Sequence, residues 1–159
     1  MKILVDADSC PKNARELVLR RAANLSLRII FAANRQIPVM NDAAENVIME
    51  ICPAGDNSAD DRIVELAEDG DIAVTRYVPL AKRLLDKNVS ALDDRGRVFT
   101  MNNINELLSL RNFMVGLADN GMEIVRTANY GKKELKSFAD SLDRILTQFD
   151  NTRIKTCQK

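Results

Sequence analysis

The first eleven residues, MKILVDADSCP, constrain the fold more than any other stretch. Ile3, Leu4 and Val5 form a short run of branched apolar side chains, the composition of a buried strand. Asp6 and Asp8 follow at once, and Ser9 and Pro11 open a helical pattern. A strand that ends in D-x-D before a helix places two carboxylates at the carboxyl edge of a sheet. In open α/β folds that edge is where ligands bind. Two adjacent anions repel unless something positive lies between them. A hard cation such as Mg²⁺, which prefers oxygen ligands and keeps several waters, answers that need.

The rest of the chain repeats the alternation. Pro11 to about Leu25 is predicted helical, Leu27–Ala33 a strand, residues 36–46 a loop, and Val47–Cys52 a third strand. Ser58 to Asp61 has the spacing of a capping box, opening a helix that Gly70 ends. Ile72–Thr75 is a fourth strand. Pro79 opens a helix to about Lys87, and Val89–Leu92 is a fifth strand. Asp93 to Gly96 is a turn, and Val98-Phe99 reads as one arm of a hairpin. Asn102 to about Ala118 and Lys132 to about Phe149 are predicted helices. Residues 1–150 therefore read as one domain and residues 151–159 as a polar, frayed tail. Alternating strands and helices predict a mainly parallel sheet with helices on both faces, plus two additional C-terminal helices.

Composition narrows the chemistry. A chain of 159 residues suits one domain with a proper core. It carries 23 Lys and Arg against 23 Asp and Glu, which disfavours indiscriminate coating of nucleic acid. It has no His, which excludes Ser-His-Asp and Cys-His sites and removes the commonest general base. Cys10, Cys52 and Cys157 are widely spaced, against structural zinc or a disulfide framework. No run is apolar enough to span a bilayer, and no signal peptide precedes the first strand. A cytoplasmic setting with no membrane partner is expected.

Polar residues collect at predicted strand ends. Asp6 and Asp8 follow the first strand, Asn34 and Arg35 the second, and Asp56, Asp60 and Asp61 the third. Thr75 and Arg76 follow the fourth, and Asp93, Asp94 and Arg95 the fifth. In a parallel sheet these ends share one edge, so the pattern predicts a cleft with acids at its centre and arginines at its rim. Carboxylates hold a divalent metal that activates water, and arginines bind phosphate through paired hydrogen bonds. Simpler roles compete. Asp8 suits a helix cap, Asp60 and Asp61 suit a first helical turn, Asp56 suits the Gly55 turn, and Asp93 and Asp94 suit a turn before Gly96. Cys10, beside acids that raise a thiol pKa, is a poor nucleophile.

Three folds place acids this way. A haloacid-dehalogenase-type phosphatase shares D-x-D, but there the Ser/Thr and Lys motifs precede the last acids, whereas here Asp56–Asp61 precede Thr75. A phospho-receiver domain needs a Lys after the fifth strand, where this chain has Asp93-Asp94-Arg95. A PIN-like metal-dependent nuclease gathers acids in the order found here. V-D-A-D-S-C-P at the start, A-N at 33–34, D-x-x-A-D-D-x-I from Asp56 to Ile63, G-D-I-A-V-T at 70–75, P-L-A at 79–81, R-G at 95–96 and R-x-F-M at 111–114 together resemble the YaiI/YqxD family of bacterial proteins, grouped with PIN-like domains. The resemblance covers residues 1 to about 115. Where that family reads T-x-D after the fourth strand, this chain has Tyr77. Its Gly-Pro turn before the last helix is replaced by Thr127–Gly131.

The resemblance implies hydrolysis of a phosphodiester, in RNA before DNA, by water on Mg²⁺ or Mn²⁺. Asp6, Asp8 and Asp60 are the expected catalytic residues, and with Asp56 and Asp61 the expected metal ligands. Asn34, Arg35, Thr75, Arg76 and Arg95 are expected to meet substrate. A non-catalytic PIN-like module binding RNA or protein and a small-molecule phosphatase are the alternatives, and self-association is a further expectation.

Overall fold

The computed structural model describes residues 1–38, 45–55, 57–122 and 129–156, with side chains to residue 149. Six strands form one sheet: β1 (Lys2–Asp6), β2 (Arg28–Ala33), β3 (Val47–Ile51), β4 (Ile72–Val74), β5 (Ser90–Leu92) and β6 (Val98–Phe99). Their order is β3-β2-β1-β4-β5-β6. All neighbours are parallel except β5 and β6, which form the expected antiparallel hairpin. Five helices lie among the described residues: α1 (Lys12–Asn24), α2 (Ser58–Leu66), α3 (Val78–Leu85), α4 (Ile104–Asp119) and α5 (Lys132–Thr156). The predicted alternation and the mainly parallel sheet are both present, in an architecture consistent with a PIN-like domain. The last helix runs to Thr156, past the end at about Phe149 that the sequence predicts.

Strand alternation decides which residue serves which face. Ile3 and Val5 of β1 join Ile29 and Phe31 of β2, Ile72 and Val74 of β4, and the apolar stripes of α1 and α5. Leu4, Ile30 and Ala73 point the other way, to Ala59 and Ile63 of α2 and Leu80 and Leu84 of α3. α4 extends that second layer, seating Ile104 with Ala81, Ala91 and Phe99. Strands covered on both faces read as continuous apolar runs, as β1 and β2 do.

The strand order turns back between β1 and β4. β1 continues to β2 and β3 on one side, and β4 to β5 on the other. Crossovers leave β1 and β4 toward opposite faces, so a crevice opens at their carboxyl ends. By alternation, Asp6 and Thr75 both fall on the α2 side of this crevice. The expected capping box at Ser58 is absent. Asn57 is the cap, in a left-handed conformation with no side-chain cap bond. Ser58 is pulled back instead, its Oγ 2.6 Å from the Pro53 carbonyl and 2.9 Å from Asn34 Oδ1.

Candidate active site at the carboxyl edge of the sheet

Asp6 is the centre of the crevice and is 6% exposed. Thr75 Oγ1 donates to its Oδ2 at 2.8 Å, and Ser9 Oγ donates to the same oxygen at 2.7 Å. Each hydroxyl is itself steadied by a backbone amide. Tyr77 N donates to Thr75 Oγ1 at 3.0 Å, and Arg76 N approaches Ser9 Oγ at 3.4 Å. Two O–H donors therefore hold Oδ2 on its own side, while Oδ1 receives only a long bond from Ser9 N at 3.4 Å.

Asp60 comes to the same crevice from the first turn of α2. Its carboxyl is pushed up to about 6, first by burial and then by the charge on Asp6, with Arg83 pulling the other way. Asp61 turns elsewhere and pairs with Arg83 Nη1 at 2.8 Å. Asp8 also leaves the centre. Its Oδ2 accepts from Asn34 N at 2.7 Å, and its Oδ1 lies 3.6 Å from Arg35 Nε. It does not cap α1, whose cap is Pro11. The D-x-D pair is thus split, Asp6 toward β4 and α2, Asp8 toward the end of β2. Asp56 lies outside the described residues. Among the described residues no three Asp, Glu or Cys side chains converge as a metal cluster would.

The expected rim arginines all carry acidic partners. Arg76 grips Asp94 with Nε and Nη2. Asp94 is 1% exposed while the Arg76 side chain is 41% exposed, so this is a two-point pair buried on the carboxylate side only. Tyr130 donates its hydroxyl to the Asp94 carbonyl at 2.8 Å, and both Arg76 and Arg95 lie over its ring at 5.9 Å. Arg95 also meets Glu134 at 3.9 Å. Cys10 sits behind this group, its thiol pushed up to about 12 by burial and by Asp94, which leaves it inert.

Three parts of this arrangement escape sequence reasoning. Ser9, three residues after Asp6, has the spacing of a hydroxyl-to-carboxylate turn, a signal that could have been read. Ser58 looks like a cap and serves as a strut to Asn34. Tyr130 carries no local signal at all; only the docking of α5 brings it to Asp94. A cleft of about 590 Å³ adjoins the site between β3 and α2, lined by Glu50, Cys52, Ser58, Asp61, Arg62 and Glu65. Its charge is mainly acidic, so a polyanion would avoid it.

The sheet defines an α/β domain with an acidic crevice at the point where the strand order reverses. More closely, the chain belongs to the family described as "Uncharacterized BCR, YaiI/YqxD family", whose profile matches residues 4–148. It is 45% identical over 148 residues to a UPF0178 protein of Treponema denticola, covering 93% of each chain. It is 44% identical over 144 residues to one of Treponema pallidum, covering 91% of this chain and 80% of that one. A relative from Pseudomonas aeruginosa is 41% identical over 148 residues, covering 93% and 91%. No solved structure matches the chain significantly.

Proposed function

We propose that this protein is a metal-dependent hydrolase of phosphodiester bonds, acting on RNA in preference to DNA. The observation that supports it best is the meeting of Asp6 and Asp60 in a partly buried crevice at the carboxyl ends of β1 and β4. Two carboxylates there raise a charge problem that a divalent ion removes. The donor set fits Mg²⁺ or Mn²⁺ held by two protein carboxylates and otherwise by water and substrate, a habit of these ions. Asp6 and Asp60 would hold the ion, with Asp8 turned away toward Asn34 and Arg35. Asp61 is withdrawn from this role by Arg83. When bound, the ion lowers the pKa of a water and offsets charge on phosphate.

The chain's own residues do the rest. Thr75 and Ser9 fix the orientation of the Asp6 carboxylate. Asn34, backed by Ser58, presents a polar side chain at the mouth. Arg35, with a side chain 77% exposed, is free to swing from Asp8 to a phosphate. Arg76 and Arg95 order the opposite wall through Asp94, Glu134 and Tyr130 rather than waiting as open phosphate clamps. No helix among the described residues is long and apolar enough to cross a membrane. Cys10 and Cys52 are free thiols, which suits the reducing cytoplasm of this reading.

Metal binding and cleavage test the proposal together. Calorimetry with Mn²⁺ should show binding that Asp6→Asn abolishes. Cleavage of a labelled single-stranded RNA in Mn²⁺ should fall at least about 100-fold in that variant, the scale of losing a group that acts in the transition state. Cleavage by Asp6→Asn at the parental rate would sink the assignment. The second reading, a binding module without catalysis, draws on Tyr77 and on the splitting of Asp6 from Asp8. It predicts RNA binding with no Mn²⁺ heat. The phosphatase reading predicts turnover of an aryl phosphate.

A further inference from the structure

We propose that Tyr77 and Arg111 form a stacking platform for an unpaired nucleobase beside the Asp6–Asp60 crevice, so that the site takes single-stranded nucleic acid. The proposal rests on the hydrolase reading above, whose substrate it narrows.

Tyr77 is tied to the site through its backbone. Its amide donates to Thr75 Oγ1 at 3.0 Å, and that hydroxyl donates to Asp6 at 2.8 Å. Its ring is partly exposed and packs on one side against the core of α2 and α3. The Arg111 guanidinium of α4 lies over the ring, 5.0 Å from its centre. An aromatic face holds a cation without neutralising it. This matters because the other arginines around the edge are compensated: Arg35 by Asp8, Arg76 by Asp94, Arg83 by Asp61 and Arg95 by Glu134. Arg111 has no carboxylate partner among the described residues, and its Nη1 meets only the Asn112 side chain, at 3.3 Å.

A planar cation resting on an aromatic ring and retaining its charge suits a flat group attached to an anion. Nucleobases stack on guanidinium planes and aromatic rings alike, and the neighbouring phosphate is drawn by the charge. Bases in a duplex are already stacked and cannot reach such a surface without unpairing. The acidic cleft between β3 and α2 repels a strand on that side, so the strand is expected to leave the crevice toward α4.

The test is fluorescence anisotropy in EDTA with a short labelled oligoadenylate, an abasic strand of the same length, a duplex, and the matching deoxyoligonucleotide. The parent should bind the oligoadenylate more tightly than the abasic strand or the duplex. Arg111→Ala should weaken oligoadenylate binding about five- to ten-fold, within the range for loss of one stacked base, and leave abasic binding less affected. Arg111→Lys should keep the charge-driven part and lose the base-dependent part. Tyr77→Leu, which keeps apolar packing, should behave like Arg111→Ala, with thermal melts confirming that both variants fold. Loss of base-dependent binding in the ribo or the deoxy strand supports the platform and identifies the strand it serves. Equal binding of oligoadenylate and abasic strand by the parent, or parental affinity in Arg111→Ala, would overturn it. The hydrolase reading has a separate readout, Mn²⁺ binding lost in Asp6→Asn, so each can fail without the other.

Discussion

Asp60 sits in the first turn of α2, where a negative charge favours the helix dipole. Burial and the Asp6 charge nevertheless push its carboxyl up to about 6 from an ordinary 3.8. The folded protein therefore binds a proton at Asp60 that the unfolded chain has already released. The penalty is fully present above pH 6, fades as pH falls through the interval between the two values, and is gone below the unfolded value. Asp60→Asn removes it. At pH 7.5 without metal, this variant should be more stable than the parent by about 1 kcal/mol, the full shift being discounted for partial exposure. Near pH 4 the two should melt together. Saturating Mn²⁺ should reverse the order, because only the parent gains from a ligand that binds the native state alone. Thermal denaturation at the two pH values, with and without Mn²⁺, checks all three outcomes. An Asn variant less stable than the parent at pH 7.5 in EDTA would show that Asp60 makes favourable contacts rather than bearing a charge conflict.

At the scale of elements, α5 holds the far wall of the crevice through the turn between β5 and β6. Gly96 adopts φ +89°, and a Cβ there would lie 2.5 Å from the Ser137 carbonyl of α5. Ser141 Oγ donates to the Gly96 carbonyl at 2.7 Å. Glu134 of the same helix meets Arg95, and Tyr130, two residues before the helix, meets Asp94. Gly96→Ala must therefore both strain the backbone and lift α5, at a cost of about 2–4 kcal/mol. Chemical denaturation should show that loss, and a Gly96→Ala protein as stable as the parent would mean that α5 is not seated on this turn. The sequence already marks Gly96 as a turn, and it marks the strands, because a buried parallel strand is a local apolar run. It also brings Asp6 and Asp60 to one edge, since strand ends share that edge whatever the details. It does not show which way each acid turns. Asp61 goes to Arg83 and Asp8 to Asn34 and Arg35 because long-range neighbours outcompete the shared centre. Ser58 matches a capping pattern, yet Asn57 takes the cap in a left-handed conformation, and the freed hydroxyl finds Pro53 and Asn34. The Tyr130 contact depends on a helix that packs only after the sheet exists.

For the molecule as a whole, charge balance governs how it can meet a polyanion. Equal numbers of basic and acidic residues give no long-range attraction. Most arginines at the carboxyl edge are already paired, so the proposed nucleic-acid binding would come from short-range contacts at Arg111, at Arg35 when it leaves Asp8, and from stacked bases. Few counterions would then be released. Each phosphate neutralised on a single strand contributes about −0.7 to the slope of log affinity against log salt, so one or two contacts predict a slope between about −0.7 and −1.4. Anisotropy titrations of oligoadenylate over a potassium chloride series measure it directly. Stacking is insensitive to salt, so the base-dependent part of the affinity should persist as the ionic part declines, and Arg111→Ala should make the slope shallower while removing the salt-resistant remainder. A slope steeper than about −3 would require four or more phosphate contacts. The carboxyl edge, with its arginines committed to Asp8, Asp94, Asp61 and Glu134, does not offer that many.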